Sequence, residues 1–259
     1  MIKPPFSRPQ KILAGIVSFT VIVTSCLLFL RAQDVYELPR EESKFTFGRI
    51  FFVAPLTARG RRGMGWASGP PWSHDWPRLG EHLMKIMAEV TKLDVNPGGH
   101  IIDFQNDDCF KYPVAYLCEV GYLNLSDEEA VRMREYLLRG GFLIVDDFRE
   151  EWALRNFKEQ MEKVFPDRLL EELPRTHQIW KSFYDISDIQ LAPPPIYSRY
   201  LIPQYFGIHD DHDRLMMVVN YNNDIGEYVE FSDDPWMPFD ETNQAYKYFV
   251  NYVMYALTH

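Results

Sequence analysis

The chain has 259 residues, 46% of them hydrophobic and 15% aromatic, enough to bury a full core in one α/β domain. Its formal net charge is −10, and the first 31 residues carry only basic groups (Lys3, Arg8, Lys11 and Arg31), so the remainder is more acidic than the whole. So acidic a surface excludes nucleic acid as an expected partner, because that affinity rests on neutralised phosphates.

Residues 12–30, ILAGIVSFTVIVTSCLLFL, contain no charged side chain. At 1.5 Å per residue they reach about 28 Å, close to the hydrocarbon thickness of a bilayer. The basic groups before them place the N-terminus in the cytoplasm and the rest of the chain outside, at the inner membrane. A cleaved signal peptide remains the alternative, although Leu30-Arg31-Ala32 is a weak cleavage site and an uncleaved anchor fits the length better. Val23-Thr24-Ser25-Cys26 resembles a lipobox only loosely. Residues 32–43 read as a tether, and 44–259 as one domain.

Phe45–Val53 predicts a first core strand ending before Pro55. The Gly/Arg stretch after it, with Arg59, Arg61 and Arg62, reads as a solvated loop. A helix follows, with Asp75 as its cap, Pro77 in its first turn, and Leu79, Leu83, Ile86 and Val90 on its inner face. Asn96-Pro97-Gly98-Gly99 predicts a turn and Ile101–Phe104 a short strand. Val114–Cys118 is a buried strand. Ser126-Asp127-Glu128-Glu129 forms a capping box for a helix whose stripe is Ala130, Met133 and Leu137, stopped by Gly140-Gly141. Phe142–Val145 is apolar throughout, as suits a parallel strand covered on both faces, and delivers Asp146 and Asp147 at its tip. Trp152, Phe157, Met161 and Val164 mark a helix ending at Pro166. Residues 190–205 read as a Pro/Tyr-rich surface excursion. The last unit is a turn at 209–213, a strand over Leu215–Val219, an Asn/Asp loop, and a helix over about 243–257.

Strands and helices alternating through short links predict a three-layer α/β sandwich on a mostly parallel sheet. Ligands in such sheets sit beyond the carboxyl ends of the strands, where the loop after Val53, Glu119, Asp146, Asp147 and residues 220–224 should converge. Clustered carboxylates there suit a hard cation or split pKa values for acid–base work. No cofactor is predicted, and a divalent metal is possible. The alternative is that Asp146 or Asp147 caps a helix or pairs with Arg149. Asp146 is expected to be partly accessible in a cleft with Glu119; full burial against Arg149 or a helix N-terminus would remove it from a ligand site. Trp66, Trp72 and Trp76 are candidates to stack on a sugar face. Further candidate ligand-binding residues are His74, which precedes a helix, and Asn220 and Asn222 at the end of a core strand. The run His209–Asp213 reads as a hairpin turn rather than a metal site, since adjacent side chains in a turn point apart. Cys109 and Cys118 are far enough apart in sequence to permit a disulfide, but the apolar neighbours of Cys118 favour a buried thiol.

The runs YPVAYLCEVGYLNLSDEE, YLLRGGFLIVDDF, LPRTHQIW and DRLMMVVNYNNDIG resemble the bacterial domain of unknown function 4159, over nearly everything from Phe45 to His259. That group looks related to the class I glutamine-amidotransferase-like superfamily and its trehalose-utilisation-type members, which implies a flavodoxin-like sandwich. The resemblance also matches His177 to a histidine of the related families, which implies a further candidate ligand-binding residue. An amidotransferase places a catalytic Cys after the strand equivalent to Phe142–Val145, where this chain has Asp146. Its His-x-Glu pair is replaced by Asn220-Tyr221-Asn222. Without thiolate and base the thioester route is closed. Two functions remain: a tethered, non-catalytic domain binding a glycan or protein of the cell envelope, and an enzyme acting on a carbohydrate through strand-tip carboxylates, with or without a metal.

Overall fold

The computed structural model describes residues 41–55, 69–197 and 200–259. The apolar run 12–30, the arginines of the loop (Arg59, Arg61, Arg62) and Trp66 lie outside the described residues. Among those described, no helix is long and apolar enough to cross a membrane.

Seven strands form one mixed sheet flanked by helices, an α/β fold. They are β1 (Phe45–Ile50), β2 (Val95–Ile102), β3 (Val114–Cys118), β4 (Phe142–Phe148), β5 (Glu171–Glu172), β6 (Gln204–His209) and β7 (Leu215–Tyr221). Their order is β2-β1-β3-β4-β7-β6-β5. The first five in that order run parallel, and β6 and β5 close one side antiparallel. The helices are α1 (Arg78–Val90), α2 (Asp127–Leu138), α3 (Glu150–Val164), α4 (Ile225–Glu230) and α5 (Phe239–Thr258).

Alternation along the strands explains the layers. Val114, Tyr116, Cys118, Phe142 and Ile144 join Leu79, Leu83, Met84, Ile225, Phe249 and Val253 in one core, on the side of α1, α4 and α5. Ala115, Leu117, Leu143 and Val145 point the other way and are equally buried, as a sheet covered on both faces requires. The α2 cap forms as its sequence predicts: Ser126 Oγ accepts from Glu129 N–H at 3.2 Å, and Glu129 Oε2 accepts from Ser126 N–H at 2.8 Å.

Several boundaries differ from the sequence reading, each for a physical reason. Asn96-Pro97-Gly98-Gly99 is not a turn but part of β2. That strand lies at the sheet edge, where the missing N–H of Pro97 costs no ladder bond. Met84 and Met87 fill the core side of α1, and Val90 is exposed. Asp75 does not cap α1: its backbone is left-handed (φ 62°) and its carboxylate turns into the core. The described residues of 190–203 lie at the surface outside helix and strand, as expected, but are held at fixed points. Asn223 Nδ2 donates to Leu191 O at 3.0 Å and Tyr228 OH to Ala192 O at 3.0 Å, pinning the segment.

Cys109 and Cys118 are free, buried thiols. Burial pushes the Cys118 thiol well above its usual range, against the nearby Arg49. Its Sγ accepts from Arg49 Nη1 at 3.0 Å and faces Pro71 O at 3.3 Å. Cys118→Ala is expected to cost about 1–2 kcal/mol, from a lost methyl-sized contact and a stranded Arg49 donor. Urea melts measure the loss. The native protein should resist a thiol reagent at Cys118, and rapid labelling there would contradict the placement.

Candidate functional site

The chain passes from β1 to β2 on one side of the sheet and then crosses to β3 on the other, so a crevice opens at the carboxyl ends of β1 and β3. A cleft of about 550 Å³ lies there, lined among others by His74, Asp75, Trp76, Glu119, Arg149, Trp152, Tyr197, Glu227 and Glu230. It is fed by the segment before α1, the turn after β3, the end of β4 with the start of α3, the segment around Tyr197, and α4.

Backbone strain marks the same edge. Asp75 (φ 62°), Glu119 (φ 51°), Asp147 (φ 51°), Glu150 (φ 67°) and Asn222 (φ 57°) all hold left-handed backbones that non-glycine residues rarely adopt. Each such residue costs on the order of 1–3 kcal/mol, and such residues cluster at functional sites. The end of β4 shows why Asp147 needs it. Pairing with β7 shifts register between Val145 and Phe148, and this bulge re-aims the two acids. They therefore lie within β4, not beyond its tip.

The bulge separates their roles. Asp147 Oδ2 lies 3.0 Å from His74 Nδ1, and Asp147 Oδ1 accepts from Arg149 Nη1 at 2.9 Å. Glu119 Oε1 stands 3.5 Å from the same His74 nitrogen. Arg149 also reaches Asp224 Oδ2 at 3.7 Å and lies 3.7 Å over the Tyr197 ring, whose hydroxyl donates to Asp224 Oδ2 at 2.6 Å. Asp146 takes no part in this. It is wholly buried, its Oδ2 accepting from Gly226 N–H at 2.7 Å and lying 3.1 Å from Tyr116 OH. The expectation of a partly accessible Asp146 is corrected: it is buried against the first turn of α4 and does not line the cleft.

Four other expectations change. His177 lies at the opposite end of the sheet, where Nε2 faces His209 Nε2 at 3.3 Å; β6 runs antiparallel, so its end is at the start of β7. Burial and then His209 hold the His177 pKa below its usual value. His177 Nδ1 accepts from Ile179 N–H at 3.2 Å, so in the neutral ring the proton is on Nε2, pointing at His209. Asn220 is buried and accepts from Tyr252 OH at 2.9 Å. Asn222 accepts from Glu150 N–H at 3.3 Å and donates to Ile202 O at 3.3 Å, tying loops together. Trp72 packs on Phe51 in the core, while Trp76 lines the cleft.

Electrostatically the cleft is overloaded with acid. Burial first, then Asp224, raises the pKa of Asp75 to about 6, of Asp146 to about 7 and of Glu227 to about 9. Burial and then Asp75 raise Glu230 to about 8. Burial lifts Asp147 well above the carboxylate range, with Asp224 and Glu119 adding to it, and also raises Glu119. His74 Nδ1, Glu119 and Asp147 are close enough together to hold a cation. Both Asp147 oxygens already have protein partners, His74 and Arg149.

Sequence reading missed Arg49, Tyr116, Tyr197, Glu227 and Glu230. One signal was available: Arg49 is a charge inside the apolar run FTFGRIFF. It is buried, with its guanidinium 4.2 Å over the Tyr116 ring.

No curated protein matches the chain. The model of one family, described as a domain of unknown function (DUF4159), matches residues 61–257. That span is most of the chain and carries β2 to β7 together with every cleft residue named above, so the protein belongs to this family.

Proposed function

We propose that the protein binds a neutral, hydroxyl-rich ligand in this cleft, with a glycan as the natural class, and that it does so in the cell envelope. The observation that carries the reading is His74. Its Nδ1 is held by Asp147, and its Nε2 has no hydrogen-bond partner among the described residues. It lines a cleft that combines carboxyl groups with Trp76, Tyr122, Trp152 and Tyr197. Aromatic faces stack on sugar rings, and carboxyl and imidazole groups take their hydroxyls. The ties of Asp147 to Arg149 and of Asp146 to Gly226 favour binding over turnover.

A second reading has its own support. A histidine oriented by a carboxylate, with its other nitrogen unpartnered and Glu119 beside it, is the arrangement of a general base, so hydrolysis of a bound carbohydrate is the alternative. The strand order of the parallel part follows the flavodoxin-like pattern, which supports kinship with the amidotransferase-like superfamily. Residues 12–30 support carriage at the inner membrane with the domain outside the cytoplasm, by anchor or by cleaved signal. Fractionation of full-length tagged protein tests that: recovery in the soluble cytoplasmic fraction would contradict it.

For the cleft, a thermal-shift screen against oligosaccharides, with manganese and zinc as separate arms, reads binding directly. At least one oligosaccharide should raise Tm, and His74→Ala should abolish the shift while keeping the fold. A shift with metal alone would replace the glycan by a cation. Sugar shifts unaffected by His74→Ala would move the site elsewhere.

A further inference from the structure

Beneath the cleft, a single hydroxyl group faces two buried carboxylates. Tyr116 OH lies 2.8 Å from Asp75 Oδ2 and 3.1 Å from Asp146 Oδ2, and all three residues are buried. A phenol has one proton and can donate to only one of them. The other contact is a hydrogen bond only if that carboxyl carries a proton and donates it to the phenol oxygen. We infer that Asp75, Tyr116 and Asp146 form a proton-holding site that keeps one proton between two carboxylates at neutral pH, with Asp75 as the end that opens on the cleft.

Gly226 decides where the proton rests. Its N–H donates to Asp146 Oδ2 at 2.7 Å, and the hydroxyl oxygen of a carboxylic acid is a poor acceptor, so Asp146 Oδ2 is an acceptor and takes the Tyr116 proton. The chain then runs from the Asp75 carboxyl proton to the Tyr116 oxygen, and from the Tyr116 proton to Asp146. When Asp75 gives its proton to a group in the cleft, its Oδ2–H bond breaks and a bond to the acceptor forms. Tyr116 can then turn its own proton to Asp75, and the next proton comes from solvent through the cleft. Glycine at 226 is part of the device, since a side chain there would strike the Tyr116 hydroxyl and Asp75 Oδ2.

The charges around Asp75 favour a proton over an ionised pair. Asp147 and Asp224 from one side, and Glu227 and Glu230 from α4, come within reach of its oxygens. Arg49 from β1 and the adjacent His74 oppose them, and Arg149 offsets part of the charge of Asp147 and Asp224. Arg49 makes no ion pair with a carboxylate among the described residues, and its Nε and Nη2 have no partner there.

Infrared difference spectroscopy on the full-length protein at neutral pH reads protonated carboxyls directly through their C=O stretch, which shifts in heavy water. Asp75→Asn and Asp146→Asn should each remove the same band, and the double variant should remove nothing further, because one proton serves both. Bands from other carboxyl groups of the cleft stay. Tyr116→Phe should shift the band while keeping the fold, checked by circular dichroism, and stands in if an Asn variant fails to fold. Retention of the band in Asp75→Asn would overturn the inference. So would two separate losses that add in the double variant. Appearance of the band only after chelation would mean that a cation, not a proton, neutralises the cluster. Sugar binding is not needed for any of these results, so the glycan reading can fail without touching this one.

Discussion

Arg149→Met is expected to destabilise the folded protein by about 3–5 kcal/mol at a pH near 8, the usual cost of stripping one partner from a buried ion pair. Arg149 is the cation that faces both Asp147 and Asp224, each about 1% exposed in its side chain. Methionine keeps the stem and the packing beside Tyr197 but leaves both acids without a guanidinium. The loss should shrink on acidification, because Asp147 can then take a proton in place of the arginine. Arg149→Lys should recover only part of the stability, since an ammonium lacks the planar guanidinium that lies over the Tyr197 ring while facing both acids. Urea denaturation at both ends of the pH range decides the matter. A loss below about 1 kcal/mol near pH 8 would show that the acids are neutralised without Arg149.

The second large effect is an inverted pH dependence. Carboxylates that are paired in the native state usually make a protein lose stability in acid. Here the shifts run the other way: Asp75 to about 6, Asp146 to about 7, Glu230 to about 8 and Glu227 to about 9, with Asp147 raised as well. A carboxyl whose folded pKa is raised binds its proton more tightly folded than unfolded. Its stabilising contribution is therefore complete below the unfolded pKa of about 4, and is lost as pH rises through the folded value. The window runs from about 4 to about 9, and Tm should fall steadily across it. In a domain of this size each kcal/mol moves Tm by roughly 2–4 °C, so a drop of several degrees between about pH 5 and pH 8.5 is expected. Asp146→Asn should flatten the part of the profile around neutrality, because it removes a group that titrates there. A Tm that rises from pH 5 to pH 8.5 would mean that the acids are ionised and paired after all.

The readable parts of this chain are those whose signal is local. The capping box at Ser126, the apolar runs Val114–Cys118 and Phe142–Val145, and the glycine stop at Gly140 each rest on a few neighbouring residues, and each stands in the structure. The cleft was located in outline for the same reason, since strand ends can be read from apolar runs. His74, Glu119 and Asp147 do meet there. What failed was the choice between near-identical neighbours. Asp146 and Asp147 are adjacent acids on one strand, and a bulge against β7 sends one to an α4 amide and the other to His74. Asp75 looked like a helix cap, yet its left-handed backbone turns it toward Tyr116, 41 residues away.

The sequence by itself determined an acidic α/β domain with a parallel core and carboxylates at the strand ends, because charge, periodicity and capping act over one or two turns of chain. Only the tertiary structure decided which acids face the cleft, which are stored beneath it, and which cations hold them. Those outcomes depend on β-register, on the crossing from β2 over β1 to β3, and on side chains such as Arg49, Tyr116 and Tyr197 that arrive from distant segments. Electrostatic energies between buried groups change steeply over a few ångströms, and such distances exist only once the sheet has formed.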